Sequence, residues 1–463
     1  MYRHRWVMLF LFFCACTVGP DYRHTDIYSD SAIKSELQLE SVQKASLNWS
    51  EIFKDKQLET LVRQALSNNT DIATAVSRLQ AARAKITANA AEYLPQADYS
   101  GSYNYNKSSG RNKIISPDSD YFRSGFDASW ELDIWGKGRR QYEADTADYV
   151  SAHYNIDNIK LMIAAEIALN YVKMQQNLQN EAIARKNVKL QQDLLELVRV
   201  KYERGLADET SYREAEYLLA ETEAKIPVYQ NNIETYRRAI STIIGILPSQ
   251  INIKNGVSKI IFSGENEDLS GRMASLPASV IRHRPDVRMA EQALIKQNAL
   301  LGRAIADLYP DVSISALLVY IAPNTGNLFD SKNRVYGYSV PISMPLLDWN
   351  RIKSNIEIQS QEKQIAFNNY RQSVVSAINE LGNAMSAYKY SLRLRNQSRK
   401  SLHSIKKVVV LTEDKYKNGL TDFSSVLNRQ QDLLSAEEKY ISAQAEVIRN
   451  IIAYLKAVGS LNN

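Results

Sequence analysis

KYERGLAD, Lys201–Asp208, returns 214 positions later as KYKNGLTD, Lys415–Asp422. Each copy closes one helical pattern at a glycine and opens the next after an aspartate. Gly205 and Gly419 stand where a left-handed helix stop is expected, and Asp208 and Asp422 where an N-cap is expected. Working outward, the register holds. Asp71 and Pro95 in the stretch from Asn69 align with Asp286 and Pro310 in the stretch from Arg284, 215 apart. LDIWGKGR, Leu132–Arg139, matches LLDWNRIK, Leu346–Lys353, with Trp135 opposite Trp349, and Gly245 matches Gly459. Ordered matches at nearly constant spacing read as a tandem duplication of about 215 residues with internal pseudo-symmetry.

Each half changes period. Helical patterns over roughly 58–92 and 286–308 give way to alternation, the second helix opening at Pro285 beside Asp286. In DYSGSYNYN, Asp98–Asn106, the residues Tyr99, Gly101, Tyr103 and Tyr105 share one face, and Ser100, Ser102, Asn104 and Asn106 the other. In FRSGFDASWELDI, Phe122–Ile134, the apolar Phe122, Phe126, Ala128, Trp130, Leu132 and Ile134 alternate with Arg123, Asp127, Glu131 and Asp133. The second half repeats this from Val312 to Tyr320, against Asp311, Ser313 and Ser315, and again from Tyr336 to Met344. Each half therefore predicts a hairpin of amphipathic strands about ten residues long. A soluble β-sandwich can show such alternation, but no pattern here supplies a cover for the apolar face. Lipid does so, and because open edges are not tolerated in a bilayer, four strands predict a barrel shared between chains.

Very long helical patterns follow, roughly 137–203 and 350–417, each about 100 Å long at 1.5 Å per residue. Each turns at its glycine and returns to Gly245 or Gly459. In the last helix Leu427, Leu434, Ile441, Ile448 and Leu455 recur every seven residues, and Val426, Leu433, Tyr440, Val447 and Tyr454 recur one position earlier. Two stripes about 100° apart predict a neighbour on each flank, as in a wall of helices, where a simple bundle shows one broad face. Pro227 falls inside the first return helix and predicts a kink there.

Bulk properties narrow the class. The formal charge is +6, or +4 once Arg3 and Arg5 are set aside with the leader, too mild to argue for nucleic acid. No apolar run after the leader is long enough to span a bilayer as a helix. The leader itself has Arg3 and Arg5, a short apolar run from Trp6 to Phe13, and then Ala15–Cys16. Cys14 and Cys16 are the only cysteines, and one residue apart they rarely bridge. The pattern resembles a lipobox, with Phe13 in the usual leucine position. It implies cleavage before Cys16 and lipidation of its thiol by acyl chains such as palmitate; an ordinary cleaved signal is the alternative. Thr17, the residue after Cys16, implies the outer membrane as destination.

Together, the CTVGPDY start, RPDVRMAEQAL, LDIWGKGR and the paired KYxxGLxD turns resemble an outer-membrane factor of the TolC type, in its lipoprotein branch. The resemblance implies a mixed α/β membrane protein. Its homotrimer forms a twelve-stranded β-barrel, four strands per chain, continuous with a long periplasmic α-helical barrel. The implied organisation is a signal peptide over 1–15 and a lipidated tail over 16–57. A first repeat covers 58–245, with β-hairpin 97–135 and helical hairpin 137–245. An equatorial linker covers 246–276. The second repeat covers 277–459, with β-hairpin 311–348 and helical hairpin 350–459, and a tail covers 460–463. The implied partners are outer-membrane lipid, a periplasmic adaptor (membrane fusion protein) and an inner-membrane transporter. The chain is then a passive efflux duct, with no cofactor and no metal site. In such proteins carboxylates near the last hairpin turn ring the closed aperture. The matching positions here are Ser425 and Asn428, and the nearest acids are Asp422 and Asp432, with Asp208, Glu209 and Glu214 in the first copy. These acids also suit solvated turns and helix caps. The turns at Gly205 and Gly419 are the expected adaptor contacts.

Three other readings compete. For an enzyme, His24, His153, His283 and His403 are scattered, and no phosphate-binding loop, dinucleotide fingerprint or nucleophile elbow occurs. A lipidated adaptor predicts one helical hairpin between small β-domains, not two hairpins with two strand pairs. The duct of a type I protein or peptide secretion system shares every feature above.

Overall fold

The computed structural model describes residues 17–38, 53, 55–107, 119–253, 273 and 277–459. Cys16 and the leader, most of the linker 246–276 and the tail 460–463 lie outside the described residues. The chain divides into two compact units. The first takes the described parts of Met1–Thr25, Ser77–His153 and Met289–Arg371; the second takes those of Asp26–Val76, Tyr154–Arg288 and Gln372–Asn463.

Helix α1 (Asp30–Leu37) is capped by Ser29, and α2 (Lys56–Asn68) by Asp55, whose carboxylate accepts from the Gln57 and Leu58 amides. The helix expected over 58–92 is broken. Asn69 ends α2 and caps α3 (Thr70–Ala91), its Oδ1 accepting from the amides of Asp71 at 2.8 Å and Ile72 at 3.2 Å. Its Nδ2 donates to the Ile243 carbonyl at 2.7 Å, so one amide side chain serves both break and anchor.

Strands β1 (Gln96–Asn106) and β2 (Ser119–Glu131) precede α4 (Lys137–Glu203) and α5 (Glu209–Ile244). A 3-10 turn at Pro248–Gln250 and the short α6 (Val280–His283) lead to α7 (Pro285–Ala306). The second half continues with β3 (Asp311–Ala322), β4 (Arg334–Ser339), β5 (Ile342–Ser343), α8 (Trp349–Lys417) and α9 (Phe423–Val458).

The sheet is antiparallel in the order β1-β2-β3-β4, with β5 also on β3. Register places Tyr99, Phe126, Leu318 and Tyr336 in one row across it. All four are exposed, from 44% at Leu318 to 74% at Tyr336. On the opposite face Arg123 grips both oxygens of Asp127 at 2.6 and 2.9 Å and donates to Ser100 at 2.7 Å. Two expectations need correction. The last strand does not run unbroken from Tyr336 to Met344: β4 stops at Ser339 and only Ile342–Ser343 resumes pairing. Pro341 and Pro345 have no amide hydrogen to give the ladder, and Pro341 only accepts, from Ser313 N at 3.2 Å. Nor is the polar face polar throughout, because Leu317, Val319 and Ile321 continue it in β3. Val319 is buried against Gly125, where a Cβ would stand 2.4 Å from the Val319 Cα.

The strand-to-helix junction WGKG is held closely. Asp133 caps α4 through the Gly138 and Arg139 amides at 2.9 and 3.0 Å, and Trp135 donates to the Pro310 carbonyl at 2.8 Å while stacking on Tyr309. Gly136 has φ +79°, and a Cβ there would meet Thr17 at 2.7 Å. The TVGPDY segment lies across this junction as a strap. Val18 N donates to the Trp135 carbonyl, and buried Arg140 donates to the carbonyls of Val18 and Gly19 and to Asp21.

In the second unit α9 is the best-buried helix. Leu427, Leu434, Ile441, Ile448 and Leu455 are all buried. In the companion stripe Val426, Val447 and Tyr454 are buried, while Leu433 and Tyr440 are half-buried. The end of α9 is tied down by Arg284, 5% exposed, which donates to the Ala457 carbonyl at 2.7 Å and pairs with Asp286 and Glu380, each at 2.7 Å. A cation there satisfies an orphan carbonyl and faces the negative end of the helix dipole.

Candidate functional site

The two KYxxGLxD turns are built alike. Leu206 N reaches the Lys201 carbonyl at 2.8 Å and Leu420 N the Lys415 carbonyl at 2.9 Å. Gly205 and Gly419 take φ of +71° and +72°, the left-handed conformation that glycine adopts without a Cβ penalty. Asp208 caps α5 through Ser211 N at 2.9 Å, and Asp422 caps α9 through Ser425 N at 2.8 Å. Hydrogen bonds from those serines hold both carboxyls below the usual aspartate range.

The other aperture candidates sort as follows. Glu209 pairs with Arg213 at 3.3 Å, and Asp432 with Arg429 at 2.7 Å. Glu214 on α5 accepts from Ser424 on α9. Ser425 is half-buried and its amide serves the cap, while Asn428 is exposed. The described contacts thus bring Glu214 to the second hairpin, and give Asp208, Glu209, Asp422 and Asp432 partners close by in sequence. Gly205 and Gly419 are open to their surroundings, and Leu206 and Leu420 beside them are 73% and 74% exposed.

What the sequence reading missed is the join between the tips. Val198, Ala215, Leu218, Phe423, Val426 and Leu427 form one buried cluster drawn from α4, α5 and α9. Above it Lys201 donates to the Tyr416 hydroxyl at 2.9 Å, with its ammonium 4.4 Å from the ring centre. Tyr416 also packs on Phe423, 5.4 Å between ring centres. The repeated Lys-Tyr pair before each glycine was the available signal. The α5–α9 seam continues with Glu221–Gln431 at 3.3 Å, and with Glu438 accepting from Lys225 at 3.2 Å and Tyr229 at 2.7 Å. Glu214, Glu221, Ser424, Gln431 and Glu438 advance by heptads, as side chains along a helix seam do.

Among the described residues no group of histidine, cysteine or carboxylate side chains is placed to hold a metal ion, and no helix is long and apolar enough to cross a membrane. A sheet with a bare apolar face, carried with two helical hairpins that meet at their tips, defines a component of a membrane channel. The family model for "Outer membrane efflux protein" matches residues 61–246 and again 276–460, and the chain belongs to that family. It is 25% identical over 448 residues to Nodulation protein T of Rhizobium leguminosarum bv. viciae, covering 95% of this chain and 89% of that one. It is 23% identical to the Cation efflux system protein CusC of Escherichia coli O6:H1, covering 96% and 95%. Among solved structures, the outer-membrane channel OprN superposes with a TM-score of 0.85 at 27% identity, covering 96% of this chain and 99% of that one. The protein is an outer-membrane efflux duct.

Proposed function

We propose that three copies assemble into one duct, each adding four strands to a twelve-stranded barrel and two helical hairpins to a twelve-helix periplasmic tunnel. The observation that carries this reading is the exposed row Tyr99–Phe126–Leu318–Tyr336 on a sheet bounded by β1 and β4. Lipid covers that face, and sibling strands pair the edges, because an unpaired backbone in hydrocarbon costs several kcal/mol per group. The doubled gene supplies the matching halves, with repeats over 58–245 and 277–459 and the linker 246–276 between them. The family model's two matches support that division.

The duct is passive. A periplasmic adaptor (membrane fusion protein) engages the turns at Gly205 and Gly419, where exposed Leu206 and Leu420 offer an apolar grip, and an inner-membrane transporter supplies energy and substrate choice. Asp208, Glu209, Glu214, Asp422, Ser425, Asn428 and Asp432 surround the aperture, and the Lys201–Tyr416 contact holds the two tips of a chain together. Cys16 carries the lipid. The strap supports this, because it sets Thr17 against Gly136 at the foot of the sheet, the level of the inner leaflet. Small molecules are the cargo; in the second reading, a secreted protein or peptide, the same duct serves a type I exporter.

Heat-modifiable migration tests the assembly. Unboiled protein from outer membranes should run as a trimer and collapse to a monomer on boiling. A detergent-free, water-soluble monomer would overturn the reading.

A further inference from the structure

Between Glu380 and Glu413 helix α8 has no acidic residue, yet it carries seven lysines and arginines from Lys389 to Lys407. The matching stretch of α4, 214 positions earlier, mixes Arg185, Lys186 and Lys189 with Glu181, Asp193 and Glu196. The basic face is a property of the second hairpin alone. At about 100° per residue, Lys389, Arg393, Lys400 and Lys407 share one line along α8. All four are exposed, as is His403 beside them, whereas Tyr388, Ser391 and Val409 are buried on the other side. Of the seven cations only Lys406 has an ion pair among the described residues, with Glu437 at 3.8 Å.

The spacing indicates the shape of a partner. Arg393, Lys400 and Lys407 step by seven residues, about 10.5 Å along the axis. Exposed Tyr390, Leu394, Val408 and Leu411 take the a and d positions of the same heptads, which puts those three cations at g. Charges at g beside an apolar seam select a partner helix by sign. A sibling chain is a poor match. Its α4 offers Lys186 and Lys189 beside Asp193, and its exposed Glu196 and Glu216 are bound to Arg199 and Arg213 at 2.7 and 2.8 Å.

We propose that this face of α8 docks an acidic amphipathic helix of a periplasmic partner, with carboxylates at heptad spacing against Arg393, Lys400 and Lys407. The proposal rests on the periplasmic placement of the hairpins in the duct described above.

The test uses the full-length protein in detergent and two synthetic helical hairpins, one with Glu at its e and g positions and a twin with Lys there. The Glu hairpin should bind, and binding should weaken as NaCl rises from about 0.05 to 0.5 M and the screening length shrinks. The variant carrying both Lys400→Glu and Lys407→Glu should lose about tenfold in affinity for the Glu hairpin and gain affinity for the Lys hairpin. A milder pair, Arg393→Gln with Lys400→Gln, should lose about threefold. Equal binding of both hairpins, or unchanged affinity in the variants, overturns the proposal. So does retention on purified peptidoglycan without hairpin binding. Trimer migration is read in the same preparations: variants that remain trimeric confine a negative result to the docking face, whereas a wild-type monomer would count against the duct itself.

Discussion

At Gly205 and Gly419 a methyl group has free space but the wrong backbone: φ near +70° is strained for any residue with a Cβ. Gly419→Ala should cost about 1 kcal/mol and fray the last turn of α8, read as faster amide exchange at Leu420. Arg284 is the opposite case, a buried cation with several anionic partners. Arg284→Ala would leave the Ala457 carbonyl unpaired and free the end of α9, at about 3 kcal/mol in a denaturant titration. The two capping aspartates titrate. Serine hydrogen bonds hold their folded-state carboxyls below the ordinary range, so the caps contribute fully above that range and are lost as pH falls through the folded-state value. Protection of the Ser211 and Ser425 amides, corrected for intrinsic exchange, should be level down to about pH 5 and vanish below about pH 4. Asp208→Asn and Asp422→Asn should abolish that step, and protection still level at pH 3 in the unmodified chain would refute the assignment.

At the scale of elements, the helices were legible because their length and heptads are local properties of one segment. The contact between them was not. Each tip carries a Lys-Tyr pair, Lys201–Tyr202 and Lys415–Tyr416, and a symmetrical motif does not say which lysine meets which tyrosine. Packing decides: Tyr202 stacks on Tyr212 in its own hairpin, 5.7 Å between ring centres, which leaves Tyr416 to Lys201. Removing the ammonium in Lys201→Ala should weaken the tip contact by about 1 kcal/mol, roughly a fivefold shift toward separated tips. Conductance of the protein in a planar bilayer should rise accordingly, and an unchanged conductance would place the closing contact elsewhere. The fourth strand teaches a related lesson. Alternation from Tyr336 to Met344 predicted a continuous strand, but Pro341 and Pro345 overrode the pattern because a ladder needs donors as well as the right faces.

For the whole molecule the decisive quantity is the apolar face. Phe126→Arg would put a cation in the exposed row and should cost about 2–4 kcal/mol at the bilayer midplane. The protein should then be depleted from the outer-membrane fraction while its helical circular dichroism stays. Normal insertion of that variant would mean the row faces water.

The amino-acid order alone determined the doubled plan, the two long helical hairpins and the two-faced strands, because periodicity and repetition are written locally and need no neighbour to be read. It also marked the turns, since a glycine before an aspartate cap has few other uses. Only the tertiary structure decided that Lys201 meets Tyr416, that Asn69 splits a helix by reaching Ile243, that Arg284 closes α9, and that TVGPDY straps the foot of the sheet. Those contacts join residues far apart in the chain, and which of many compatible side chains meet is set by packing that a one-dimensional pattern does not encode.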